Sequence, residues 1–416
     1  MEKIVISGIG MLSSIGIDID SHVQVIKEGK IDCIEAEDSF GQLVRKTKEV
    51  NIKKFVKNKK SVRFFGKQTI IGCYCAKMAK DDAKIADADI AENERRNALI
   101  IGAGYSQSLL PMADALVECI EEDGKVNYDK VGNEGYRQLS PLWILSRLPN
   151  TTAGQISIEN GIKGFNYTVV NGVNSGIVAV GEAFLSIMQD RADCVFCGGI
   201  EDEVLPDFIY ELQKDHLLAE SSQGNKVFSE TSTGSTIGEG GCVLILEKES
   251  KAKDRNAELY GEVIGYSNLY IPELSQMKDE TEISVHMQKS MQKAMQMAGV
   301  EKNDVDFVQA SAGGNPLLDL SEAIAINNVF GDSVYVTEAK SYIGDTLAAS
   351  GAFSVAFACL QMKYNFIAPN SDGAKCVLED KIKYVKENAV CYESEFCLVN
   401  SFSHLGEMCT LVIKKR

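Results

Sequence analysis

Residues 165–188, FNYTVVNGVNSGIVAVGEAFLSIM, read as an apolar strand, a turn of small residues and a long apolar helix opening at Ser175. The same order returns downstream. SVYVTEAK (333–340) is strand-like, and ASGAFSVAFACLQM (349–362) is an apolar helix opening at Ser350. A helix that is apolar all round is buried on every side. Two such units this far apart in the chain indicate a duplicated, domain-sized fold rather than a short solenoid repeat. In a duplicated α/β sandwich both helix N-termini would face a common site. Their unpaired N–H groups favour anions there, and a nucleophile would be expected at that point.

Working outward, strand-like runs alternate with helix-like ones. KIVISGIG opens the chain, NALIIGAG follows at Asn97, DCVFCGG at Asp193 and CVLILEK at Cys242. ELYGEVIGY begins at Glu258, VDFVQAS at Val305, FCLVNSF at Phe396 and CTLVIKK at Cys409. Near-continuous apolar strands belong to a sheet covered on both faces, and alternation with helices to βαβ units. The polar stretch KESKAKDRNAE near Lys251 suits a boundary between halves at 1–252 and 253–416.

The chain has 416 residues and a net charge of −16, which disfavours nucleic acid and anionic membranes as general partners. One tryptophan offers no stacking surface for bases. No run of 18 apolar residues occurs, so no membrane span is expected, and MEKIVISGIG is already strand and turn without a signal h-region. Between Arg45 and Lys67 the charge reverses, with Glu49 the sole acid among ten Lys or Arg residues. That stretch is either a solvated surface loop or a docking patch for an acidic partner. The twelve cysteines sit mostly in apolar segments without paired zinc spacing. They are expected as buried, reduced thiols of a cytoplasmic chain, with no metal and no cofactor. His22, His216 and His286 are scattered and polar-flanked, and are expected at the surface. Gly8-x-Gly10 is too short for a dinucleotide fingerprint.

Several blocks, in this order and spacing, resemble the β-ketoacyl-ACP synthases of the thiolase-like condensing enzymes. They are VISGIGMLSSIG, NTTAGQISIENGIKGFNYTVV, GSTIGEGGCVLILE, AKSYIGDTLAASG and LVNSFSHLGE. The resemblance covers essentially the whole chain. It implies a thiolase-like α/β fold, with duplicated βαβ halves forming a layered α-β-α-β-α sandwich. Active members carry a cysteine at the N-terminus of the central helix, in a motif like A-C-x-S-G, and two histidines, in motifs like N-A-H-G-T and K-S-x-x-G-H. The matching positions here are Val173, Ser311 and Asp345. Val173 cannot be acylated, and an ionised Asp345 would repel the charge that develops on the substrate oxygen. Lys340 and Glu322 survive as supporting groups. The loop that resembles G-F-G-G reads Ser403-His404-Leu405-Gly406, with two glycines gone.

With all three catalytic positions replaced, the chain is most like a chain-length factor, the ketosynthase β-subunit of type II polyketide systems, aromatic or aryl-polyene. The usual substitute for the cysteine there is glutamine, whereas this chain has valine. By the resemblance its partners would be an active ketosynthase α-subunit, an acyl carrier protein and the growing acyl chain. The tunnel gate would fall on Tyr105, Leu109, Met112 and Leu116, whose spacing also suits ordinary interface core. Carrier docking would fall on Lys59, Lys60, Arg63 and Lys67. Two alternatives stand beside this: a homodimeric pseudoenzyme that binds acyl chains or carrier protein, and a divergent decarboxylase or acyltransferase. A Ser401-His404-Glu407 hydrolase arrangement is disfavoured, because all three come from one loop without a nucleophile elbow.

Overall fold

The computed structural model describes residues 2–29, 36–37, 41–104, 110–139, 142–202, 204–220, 226–370 and 375–416. Eleven strands form one hydrogen-bonded sheet. In chain order they are β1 (Ile4–Leu12), β2 (Asn97–Ala103), β3 (Asn166–Val169), β4 (Cys194–Glu201), β5 (Gly240–Lys248) and β6 (Gly261–Tyr270). Then come β7 (Phe307–Ala310), β8 (Tyr335–Glu338), β9 (Lys383–Tyr384), β10 (Phe396–Phe402) and β11 (Glu407–Lys414).

The spatial order is β9-β8-β7-β10-β11-β6-β1-β5-β4-β2-β3. In the first half β3, β2 and β4 run parallel, then β5 and β1 antiparallel. In the second half β8, β7 and β10 run parallel, then β11 and β6 antiparallel. With the two-residue β9 left aside, the same third-second-fourth-fifth-first order therefore occurs twice, which bears out the duplication read from the two Ser-Gly helices. The halves meet at a short junction, with Val5 opposite Glu262 and Ile6 opposite Gly261. Every residue of β1, β2 and β4 is buried, as expected for strands covered on both faces.

Nine helices matter to the argument. They are α1 (Ile19–Glu28), α2 (Lys67–Asp82), α3 (Leu110–Val117), α4 (Pro149–Asn160), α5 (Ser175–Met188), α6 (Pro206–Lys214), α7 (Glu280–Ala298), α8 (Pro316–Phe330) and α9 (Ser350–Tyr364). α5 and α9 open at the two serines expected from sequence and contact strands of both halves. α2 and α4 cover the outer side of the first half, and α7 with α8 that of the second, giving five layers. The Gly8-x-Gly10 step serves this packing. A Cβ at Gly10 would lie 2.0 Å from the Cys75 carbonyl oxygen of α2, so only glycine lets the helix approach β1 so closely.

Ten of the free cysteines are buried and Cys391 is exposed; Cys33 lies outside the described residues. Burial pushes the Cys73 thiol up to about 12, which leaves it protonated and inert. His22 departs from the surface expectation. It is fully buried on α1, with Nε2 2.8 Å from Ser13 Oγ and Nδ1 2.7 Å from the Asp18 carbonyl oxygen. Burial lowers its pKa to about 4, so it packs as a neutral ring beside Phe353 and Phe357. Ser13, just past β1, and the Asp18 cap of α1 satisfy the two ring nitrogens, a device that polar flanking residues conceal. No helix among the described residues is long and apolar enough to cross a membrane.

Candidate functional site

The turn before α5 is braced from within and from β10. Ser175 Oγ donates to the Gly172 carbonyl oxygen at 2.7 Å and accepts from the Asn171 N–H at 2.8 Å. Asn174 Nδ2 donates to the Ser401 carbonyl oxygen at 3.0 Å, and Ser401 Oγ returns a bond to Asn174 Oδ1 at 2.8 Å. That commitment removes Ser401 from any nucleophilic role. Glycines let the turn sink between the halves: a Cβ at Gly176 would lie 2.6 Å from the Ala348 carbonyl oxygen. The rigid result presents Val173 to a cleft with about 690 Å³ of empty space, its open mouth included.

Ser311, Glu322, Lys340 and Asp345 line the same cleft as Val173. Five positions named from the sequence therefore converge on one place. Their chemistry is turned inward. Ser311 Oγ accepts from the Phe402 N–H at 2.7 Å and donates to the Phe402 carbonyl oxygen at 3.3 Å. The hydroxyl thus ties the end of β7 to the end of β10 and has its hydrogen bonding satisfied there. Asp345 Oδ2 accepts from Lys340 Nζ at 3.0 Å, while its Oδ1 accepts from the Leu347 N–H at 3.0 Å and Ser350 Oγ at 2.9 Å. Burial pushes the Asp345 carboxyl up, but the Lys340 ammonium and these donors outweigh it and hold it below the usual carboxylate range.

Two further carboxylates lie beneath. Glu322 Oε1 accepts from the Ser311 N–H at 3.0 Å and from Asn400 Nδ2 at 2.9 Å, and burial raises its pKa to about 7. Asp319 accepts three backbone N–H bonds, from Phe228, Gly313 and Gly314, and burial raises its pKa to about 6. Phe228 and Leu347 both have positive φ, 53° and 44°, which is costly for bulky side chains. Each has its N–H held by a site carboxylate, so Asp319 and Asp345 fix strained backbone around the cleft. In the sequence Asp319, like Pro316 and Glu322, matches a family position downstream of Ser311, but its three backbone partners do not show there. The structure adds Leu347, and it places His404 of the Ser403–Gly406 loop in the cleft lining, where burial lowers its pKa.

The remaining named residues do not join this cleft. Tyr105 and Leu109 lie outside the described residues. Met112 and Leu116 sit half-buried on α3, away from the cleft lining. Lys59, Lys60 and Arg63 are exposed, and Arg63 lies over the Phe64 ring. Lys67 pairs with the buried carboxylate of Glu239, which also accepts from the Thr47 N–H at 2.9 Å. The basic segment is bonded to the cleft wall. The Glu239 N–H donates to the Arg45 carbonyl oxygen at 2.9 Å, and the Gly238 N–H to that of Asp345 at 2.9 Å.

Comparison with known proteins places this geometry. The Beta-ketoacyl synthase N-terminal domain matches residues 1–252, and the Beta-ketoacyl synthase C-terminal domain matches residues 273–373. A 3-oxoacyl-[acyl-carrier-protein] synthase 2 of Staphylococcus aureus (strain COL) is 28% identical over 426 aligned positions, covering 100% of this chain and 98% of that protein. Among solved structures, the ishigamide ketosynthase/chain length factor superposes with a TM-score of 0.86 at 21% identity, covering 100% of this chain and 99% of the other. A type II PKS acyl-carrier protein in complex with its ketosynthase contributes a chain with a TM-score of 0.83 at 21% identity, both chains covered fully. With both domains of the family matched in order along the chain, and the thiolase-like fold around them, this protein belongs to the β-ketoacyl synthase family.

Proposed function

We propose that this chain is a non-condensing ketosynthase subunit, a chain-length factor that pairs with an active ketosynthase and shapes the acyl tunnel of a type II polyketide pathway. One observation carries the reading. The cleft where the family's chemistry belongs holds Val173 in place of a nucleophile, a serine bonded to backbone, and a carboxylate already neutralised by Lys340. Among the described residues, the three positions where the family carries its cysteine and two histidines hold no thiol to accept an acyl chain and no imidazole to stabilise the enolate of a decarboxylated extender.

A partner surface supports the same reading. β3 is an edge strand of the large sheet, an exposed row of N–H and C=O groups. More than half of the exposed large apolar side chains of the described residues fall between residues 117 and 170, Ile158 and Val170 among them. An active subunit seated on this edge would supply the cysteine and histidines. Met112 and Leu116 then stand as gate residues, and the basic segment at Lys59, Lys60 and Arg63 as the face for an acidic carrier protein.

The test is co-expression of the untagged chain with the tagged active ketosynthase of its host, read by native mass spectrometry. A one-to-one complex supports the proposal. A stable homodimer that ignores the ketosynthase overturns it and leaves a stand-alone acyl- or carrier-binding pseudoenzyme. Unaided turnover of malonyl-carrier would overturn both.

A further inference from the structure

A second cavity lies at the far end of β5 from the cleft. Ile237, just before β5, lines the cleft, whereas Glu247 near the end of the strand lines this one. Its walls come from Asn97 and Cys194, which open β2 and β4, and from the short helices Asp87–Glu92 and Glu249–Asp254. It holds about 640 Å³ of empty space, its open mouth included.

The charge here is one-sided. Among the described residues Asp89, Glu92, Asp193, Glu247 and Asp254 line the cavity, against Lys251 and Arg255. Arg96 and Lys248 neutralise Asp193 from outside, at 2.7 and 2.6 Å. Four acids therefore remain against two bases, and the arginine is already occupied. Arg255 donates to Glu247 Oε1, and to the carbonyl oxygens of Lys251 at 2.9 Å and Ala83 at 3.3 Å. Glu92 and Asp254 stand exposed at the rim, with no side-chain hydrogen bond or ion pair among the described residues.

The floor sets the chemistry. Glu247 is fully buried, and its Oε1 accepts from Ser7 Oγ as well as from Arg255. Its Oε2 accepts from no group among the described residues. A buried carboxylate oxygen without a donor is costly, so a cation entering beside it gains more than it would at the surface. That cation is an extended one. Among the described residues no three acidic, histidine or cysteine side chains converge closely enough to hold a metal ion. The carboxylates are spread from buried floor to exposed rim, and the apolar Ile85 and Cys194, both buried, belong to the same lining. Methylenes suit such a surface while ammonium groups take the carboxylates.

We infer that this cavity binds a linear polyamine, with one ammonium against Glu247 Oε2 and the next held at the rim by Glu92 and Asp254. The site is separate from the cleft, so it stands whichever function the cleft serves.

The experiment is titration calorimetry of the purified protein, in whatever assembly it adopts, with spermidine at pH 7.5 and low salt, where aliphatic ammonium groups stay charged. Saturable binding of one spermidine per chain is expected. E92Q/D254N, confined to the rim, should weaken it by about tenfold and leave the melting temperature unchanged. E247Q can keep Oε1 toward Ser7 and Arg255 while removing the buried charge, and should weaken spermidine at least as much; where it fails to fold, the rim variant decides alone. General attraction to a chain of net charge −16 is the rival, and E393Q/E395Q, in a separate acidic cavity, measures it. That variant should bind spermidine as the unaltered protein does. Absence of binding, affinity unchanged in E92Q/D254N, equal weakening by E393Q/E395Q, or full displacement by an equal concentration of Mg2+ overturns the inference.

Discussion

Lys340 Nζ lies 3.0 Å from Asp345 Oδ2, and the second oxygen of that carboxylate closes the turn into α9 through the Leu347 N–H and the Ser350 hydroxyl. The pair joins a charge to a strained backbone, so the residue that replaces a catalytic histidine in this chain has acquired a structural task.

Removing Asp345 should therefore be costly. D345A leaves a buried ammonium without its carboxylate and releases Leu347 from its anchor. The expected loss is about 3–5 kcal/mol, measured by urea unfolding at pH 7.5. The folded pKa of Asp345 is lowered, so its contribution is present above the unfolded carboxylate value and fades as pH falls through the folded one. A loss below about 1 kcal/mol would mean the pair is incidental.

Glu322 and Asp319 should respond differently to amide substitution. Both bonds recorded to Glu322 use Oε1, so E322Q can keep them. Asp319 accepts with both oxygens, so D319N must turn an NH2 toward a backbone N–H and should cost about 1–3 kcal/mol.

The pH dependence of Glu322 has the opposite sign from that of Asp345. Its folded pKa is raised from 4.5 to about 7, so the folded state binds the extra proton between those values. Stability should fall as pH rises through that window, and E322Q should flatten the slope. Melting temperatures from pH 4.5 to 8 test this; identical slopes in the two proteins would reject it.

V173C should restore a thiol without restoring condensation. Placed just before α5, the thiol meets the positive end of a helix and should alkylate with iodoacetamide, as read by intact mass. Ser311 remains bonded to Phe402 and Asp345 remains anionic, so malonyl-carrier should yield no product. Measurable condensation by V173C would show that the two other replacements are tolerated.

Reversal of the exposed basic segment, K59E/K60E/R63E, should weaken carrier protein at low salt by about tenfold and leave the melting temperature unchanged. Affinity that does not move would sink the docking role of this face.

The fold was legible because its signals are local and apolar. β1, β2 and β4 are buried runs of the kind that sequence pattern reads well, and Ser175 and Ser350 open α5 and α9 where the Ser-Gly steps stand. The five site positions were legible through blocks of sequence rather than through chemistry. Partnerships across the chain were not. Nothing around Ser311 announces that its hydroxyl meets the backbone of Phe402, and nothing around His22 announces that Ser13 and Asp18 occupy both ring nitrogens. His404, Leu347 and the leucines at 212, 217 and 218 of the cleft lining became visible as a set only when the two halves were seen closed against each other.

The two ends of the large sheet are unequal. One ends in β9, two residues long, whose Lys383 lies 3.6 Å from the centre of the Tyr335 ring. A strand so short, with a lysine in it, gives a newcomer little to pair with. The other end, β3, is longer and borders the apolar segment. Assembly through β3 would therefore terminate itself: once two chains have met there, neither offers a second edge of comparable length. The sheet that builds the cleft would also set the stoichiometry, favouring a closed pair over a growing fibre.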